Sequence, residues 1–98
     1  MPPVVSLARP AASAAFPAGA GIVLEANAAD PDGDVAKVDY YLGSVAPEKK
    51  LNTRDITAPP FRLVWKGAKA GTHSIIAVAT DDTGQSATSE AVTITVKP

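Results

Sequence analysis

The sequence predicts an all-β fold, a β-sandwich of about seven strands. The longest apolar runs alternate with a period of two residues, as half-buried strands do. These runs are bounded by turns rich in Gly, Pro and Asp at roughly 8–12-residue spacing. No stretch sustains the helical period of about 3.6 residues. Because 98 residues suit one compact unit, we expect a single domain over residues 1–98.

The first half of the chain predicts four strands. A short apolar run at residues 4–7 opens the chain, and a brief strand is expected near Phe16. Two longer runs at residues 22–29 and 35–42 alternate apolar and polar side chains throughout, so each is expected to turn one face to the core.

The second half is interrupted by proline and polar residues, and its strands are shorter. One short strand is expected at residues 50–53, and another at residues 61–65. A longer inward row runs from His73 to Ala79, and residues 92–96 supply the closing strand. The inward side chains of the two sheets together would form the core.

Composition excludes several classes of protein. With 9 basic and 10 acidic residues the net charge is −1, so nothing marks a nucleic-acid surface. No apolar run reaches the ~20 residues of a membrane helix, and we expect no membrane insertion. The absence of Cys excludes disulfide scaffolds, thiolate zinc sites and cysteine nucleophiles.

We expect no targeting signal at the start of this sequence. Met1 is followed directly by two prolines, without the basic and apolar regions of a signal peptide. We therefore expect Met1 to be an added start, and the chain to be a piece of a longer protein.

Two acidic turns are the strongest candidates for a binding site. In a sandwich, the loops at residues 30–34 and 81–84 lie at the same end. Clustered carboxylates there could supply several of the 6–8 or so oxygen ligands of calcium. The alternative is simple turn chemistry, in which Asp side chains bond backbone amides. The candidate calcium ligands are Asp30, Asp32, Asp34, Asp81 and Asp82.

Other side chains give weaker signals. Tyr41 is expected to point outward and is the single candidate for stacking against a sugar, whereas Trp65 falls on an inward row. His73 is expected at the end opposite the acidic turns, so it cannot act with Asp81. We find no nucleophile–base pair and expect no enzyme activity.

Four segments together resemble a known family. Their sequences are PVVSL at 3–7, DPDGDVAKVDYY at 30–41, APPFRLVW at 58–65 and AGTHSIIAVATDDTG at 70–84. In this order and spacing they resemble the bacterial immunoglobulin-like domains of secreted and surface proteins. The resemblance implies an immunoglobulin-like Greek-key sandwich, and an extracellular or cell-surface location. His73 stands where such domains usually carry Tyr, which implies a structural role at the corner of the strand.

The resemblance implies a spacing, scaffolding or adhesion role beside neighbouring domains of the same chain. Such domains commonly accompany carbohydrate-active catalytic domains. A glycan-binding accessory module is therefore the first alternative, and a calcium-stiffened linker is the second. We expect the isolated domain to be a monomer.

Overall fold

The computed structural model is all-β and contains eight strands in its described part. It describes residues 3–9, 13–19, 21–30, 33–45, 49–52, 56–57, 61–66 and 69–98. The strands are β1 (Val4–Arg9), β2 (Ala15–Pro17), β3 (Ile22–Ala29), β4 (Val35–Leu42), β5 (Leu63–Trp65), β6 (Gly71–Asp81), β7 (Ser86–Thr88) and β8 (Val92–Lys97).

The strands form two sheets that pack as a sandwich, which confirms the predicted fold class. One sheet has the order β1-β3-β5, and the other has the order β2-β8-β6-β4 with β7 also beside β6. Neighbouring strands are antiparallel, except that β2 runs parallel to β8. Among the described residues, no helix is long and apolar enough to span a bilayer.

The predicted strands differ from the observed ones mainly in the second half. β6 is longer than its inward row, and β7 was not predicted because residues 86–88 lack apolar alternation. The strand expected at residues 50–53 is replaced by isolated bridges from β4 to Lys50 and Ile56, while Thr53 lies outside the described residues. The strand expected at residues 61–65 begins only at Leu63.

The core combines large side chains of one strand with small ones of the next. Tyr40 of β4 is paired with Ala77 of β6, and Val38 is paired with Ala79. All four are completely buried. The small alanines leave room for the larger side chains, which lets the two sheets pack closely. The buried apolar residues are Ile22, Leu24, Ala26, Val38, Tyr40, Phe61, Ile75, Ala77, Ala79, Ile94 and Val96.

A buried carboxylate attaches the segment 49–52 to the outer edge of β4. Asp39 points away from the core, but only 4% of it is exposed. Its oxygens lie 3.2 Å from the ammonium of Lys50 and 3.6 Å from that of Lys37. The side-chain amide of Asn52 donates to Asp39 at 3.1 Å, and its oxygen accepts the amide of Tyr40 at 2.9 Å. Asn52 therefore satisfies a backbone group on the edge of β4.

Tyr40 also fixes the backbone of Phe61. Its hydroxyl group donates a hydrogen bond to the carbonyl oxygen of Phe61 at 2.5 Å. Phe61 has φ near +56°, a conformation that costs a non-glycine residue about 1–3 kcal/mol. Burial, and secondarily the negative charge of Glu25, raises the pKa of Tyr40, so the phenol stays a donor.

Replacing Tyr40 with Phe removes this donor and leaves a buried carbonyl without its partner. We expect Tyr40→Phe to lower the free energy of unfolding by about 1–2 kcal/mol. The neighbouring Tyr41→Phe is the matched control, because Tyr41 is half-buried on the opposite face of β4. Urea unfolding measures both variants, and equal losses would contradict the role given to Tyr40.

Candidate functional site

The two acidic turns meet at one end of the sandwich, which we call the acidic end (Asp30, residues 33–35 and residues 81–85). Val35 is paired with Asp81, and the amide of Asp82 donates to the carbonyl oxygen of Asp34 at 3.2 Å. This pairing joins the turn before β4 to the turn after β6.

Three of the five candidate calcium ligands come together. Asp30, Asp81 and Asp82 each offer a carboxylate oxygen, and these oxygens lie within 4.8 Å of one another. Asp34 is exposed and contributes its backbone carbonyl to the turn. Asp32 lies outside the described residues. Gly33 permits a close approach, since a Cβ atom there would lie 3.2 Å from Oδ1 of Asp82.

Asp81 organises the turn that follows β6. Its Oδ1 accepts three hydrogen bonds, from the amide of Thr83 at 2.9 Å, the hydroxyl of Thr83 at 2.8 Å and the amide of Gln85 at 2.8 Å. A carboxylate oxygen of Asp30 lies within 4.8 Å of one of Asp81. The backbone of Gln85 accepts the amide of Asp81 at 2.8 Å, which closes the turn.

These contacts keep the carboxyl group of Asp81 ionised. Burial alone would raise the pKa of this carboxyl group, but the hydrogen bonds from Thr83 and Gln85 and the contact with Asp30 together lower it. The group therefore stays ionised at neutral pH although only 4% of the residue is exposed. Hydrogen bonds within the turn therefore satisfy Oδ1 of Asp81.

A shallow groove adjoins the acidic end. It consists of two depressions with volumes of about 340 Å³ and 420 Å³ that share Ala28, Ala29 and Phe61 as walls. The first also includes Val4, and the second reaches Asp30 and Asp34. The groove thus has apolar walls at Ala28, Ala29 and Phe61, includes the polar residues Ser6 and Asn27 in its first depression, and is acidic at one rim. Among the described residues that line it there is no histidine, lysine or thiol.

His73 lies far from the acidic end and serves the corner that precedes β6. Its Nε2–H donates to the carbonyl oxygen of Lys69 at 2.6 Å. Its ring packs edge-on against Trp65, with centroids 5.4 Å apart. Eight positions along β6 separate His73 from Asp81, or about 26 Å at strand geometry. The two residues therefore cannot form a catalytic pair.

The aromatic residues form no planar platform for a sugar. Phe16 and Trp65 pack partly against the core, whereas Tyr40 and Phe61 lie within it. Tyr41 faces outward and is half-buried beside its register partner on β6. The aromatic residues number five in the whole chain, so Tyr41 would have to act alone.

Sequence reasoning missed the parts played by Asn52 and Phe61. Asn52 lies in a polar stretch, where nothing distinguishes a buried amide from a solvated one. Phe61 follows two prolines, which signal irregular backbone but not its left-handed conformation.

Comparison with known proteins assigns the family. The model of the bacterial Ig domain matches residues 3–96. The chain belongs to the bacterial Ig domain family. Among solved structures, this bacterial Ig domain is similar to one described as "Structures of Clostridium thermocellum CbhA fibronectin(III)-like modules". The identity is 26%, the match covers 96% of each chain, and the TM-score is 0.82. No curated protein matches the chain.

The charge of Asp81 predicts acid-sensitive stability. Folding lowers the pKa of Asp81 below the ordinary value of 3.8. The contribution of Asp81 to the free energy of unfolding is therefore complete at pH values above 3.8. The contribution is lost as the pH falls through the lower, folded-state pKa. We expect Asp81→Asn to be less stable than the parent at pH 6 and to flatten the fall in stability below about pH 4.

Urea unfolding at several pH values between about 2.5 and 6 measures this effect. The control is Asp82→Asn, which removes one exposed carboxylate from the same turn. An equally steep decline in Asp81→Asn and the parent would show that Asp81 does not carry the acid sensitivity.

Calcium binding at the acidic end stays a prediction. If Asp30, Asp81 and Asp82 hold a cation, millimolar calcium raises the melting temperature because ligands of the folded state stabilise it. The amide signals of residues 30–34 and 81–84 should shift in the same titration. Asp82→Asn should weaken both effects, and Glu90→Gln, which removes an exposed carboxylate elsewhere, should not. Calcium that changes neither observable overturns the prediction.

Proposed function

We propose that this bacterial Ig domain is a non-catalytic spacer that holds neighbouring domains of a larger extracellular or cell-surface protein apart. The observation that supports the proposal is the position of the first and last strands. β1 begins beside the end of β3, whereas β8 ends beside the start of β6. The polypeptide therefore enters at the acidic end and leaves at the opposite end.

The shape of the molecule suits this role. The domain measures 44 × 22 × 21 Å. β6, with 11 residues, spans about 36 Å at strand geometry and so accounts for most of the long dimension. Domains attached at the two ends would be separated by the length of the strands.

The packing supports a stiff spacer. The buried residues form one continuous cluster that both sheets contribute to, and β6 is paired with three other strands. Close-packed interiors resist deformation, because side chains in them have few alternative positions. Within the described residues, no buried side-chain polar atom lacks a hydrogen-bond partner.

Glycan binding is the weaker alternative. Tyr41 is the one aromatic side chain that faces outward without packing against the core. Sugar sites depend on apolar and aromatic contact with a few placed polar groups, and a single half-buried Tyr offers little of that. Heat released in titrations with polysaccharides, and lost in Tyr41→Ala, would favour this alternative.

The spacer proposal is tested by placing the domain between two spin-labelled reporter domains. We expect a narrow distribution of distances by double electron–electron resonance. The control replaces the domain with a Gly/Ser linker of equal length, for which a broad distribution around roughly 50–60 Å is expected. A distribution as broad with the domain as with the linker would contradict the proposal.

A further inference from the structure

The two ends of the molecule carry opposite charges. Asp30, Asp34, Asp81 and Asp82 cluster at the acidic end. The opposite end, which we call the lysine end, consists of Lys66, Lys69 and Lys97, and all three are exposed. The strand register fixes their place: Lys66 follows the end of β5, Lys69 precedes β6, and Lys97 ends β8.

Ion pairs elsewhere on the molecule occupy most of the other described charges. Glu25 lies 3.1 Å from Arg9 and 3.7 Å from Arg62. Asp39 is paired with Lys37 and Lys50. The remaining charge asymmetry therefore runs along the strands, from one end of the sandwich to the other.

The acidic end also offers apolar surface. Val4 is 66% exposed, and it borders the groove walled by Ala28, Ala29 and Phe61. A partly apolar groove with a carboxylate rim suits a partner that has cationic groups on apolar stems. Lysine side chains have this character, since their methylene stems pack on apolar surface while the ammonium groups stay in water.

Copies of this domain in series would bring the two ends together, because the chain enters at one end and leaves at the other. We infer that the groove and carboxylate rim of the acidic end dock the lysine end of a second copy of this chain. The inference rests on the spacer role and adds to it a defined contact between consecutive copies.

The contact is weak between separate molecules. Each exposed ion pair contributes little to the free energy of binding, and salt screens it further. A short connection raises the local concentration of the second end to the millimolar range, which makes a weak contact effective. Separate chains therefore remain monomeric in dilute solution and associate only when concentrated.

The test uses the chain as it is. Unlabelled chain is added to ¹⁵N-labelled chain at low salt, up to millimolar concentration. We expect concentration-dependent shifts at both ends, in residues 28–35 and 81–85 and in residues 66, 69–72 and 96–98. We expect salt at about 0.5 M to abolish these shifts, because the Debye length falls below about 5 Å.

Charge-reversal variants test whether the acidic end and the lysine end form the contact. Two variants each reverse the charge of one end. One carries Lys66→Glu, Lys69→Glu and Lys97→Glu, and the other carries Asp34→Lys and Asp82→Lys. Each should self-associate about tenfold more weakly than the parent. Mixing the two variants should restore the contact and shift the same residues at the reversed ends. Lys69→Glu alone should weaken association more than Lys49→Glu, which makes the same charge change at an exposed site away from both ends.

The proposal is overturned if concentrated chains show no shifts, if the shifts fall elsewhere, or if Lys49→Glu weakens association as much as Lys69→Glu. Such a result leaves the spin-label measurement of the spacer unaffected, so failure of the contact is distinguishable from failure of the spacer role. Circular dichroism of each variant verifies that the fold is retained.

Discussion

The alternation of side chains along β6 is the constraint on which the rest of the structure depends. Ile75, Ala77 and Ala79 face the core and are completely buried, while the backbone of the same strand pairs with β4, β7 and β8. A shift of one residue would turn this whole row toward solvent. The register of β6 therefore determines both the packing between the sheets and the position of the strands beside it.

The same alternation explains the acidic end. Asp81 is the next inward position after Ala79, so the row that fills the core ends in a carboxylate. A charge at the rim of an apolar core is tolerated only when it is hydrogen-bonded, and the turn residues Thr83 and Gln85 supply those bonds. One side chain thus ends the core and shapes the turn that places Asp82 beside Asp30.

The sequence predicts a segment well where the structure of that segment depends on its own local pattern of side chains. The bounds of β3 and β4 followed from alternation, and the meeting of the acidic turns followed from the expected topology. β7 was not predicted because backbone pairing with β6, rather than a pattern of apolar side chains, stabilises it. The partners of Asn52 and the conformation of Phe61 depend on distant residues, and a local pattern carries no signal for such contacts.

The parallel pairing of β2 with β8 has a mechanical consequence. β2 follows the first strand and β8 is the last, so tension that reaches β2 from the chain before it pulls these parallel neighbours in opposite directions along their shared axis. Bonds such as those from Ser13 to Thr93 and from Thr95 to Ala14, at 2.8 Å and 2.9 Å, then share the load. Such bonds must break together in shear rather than one after another, which makes this short pair a clamp against stretching.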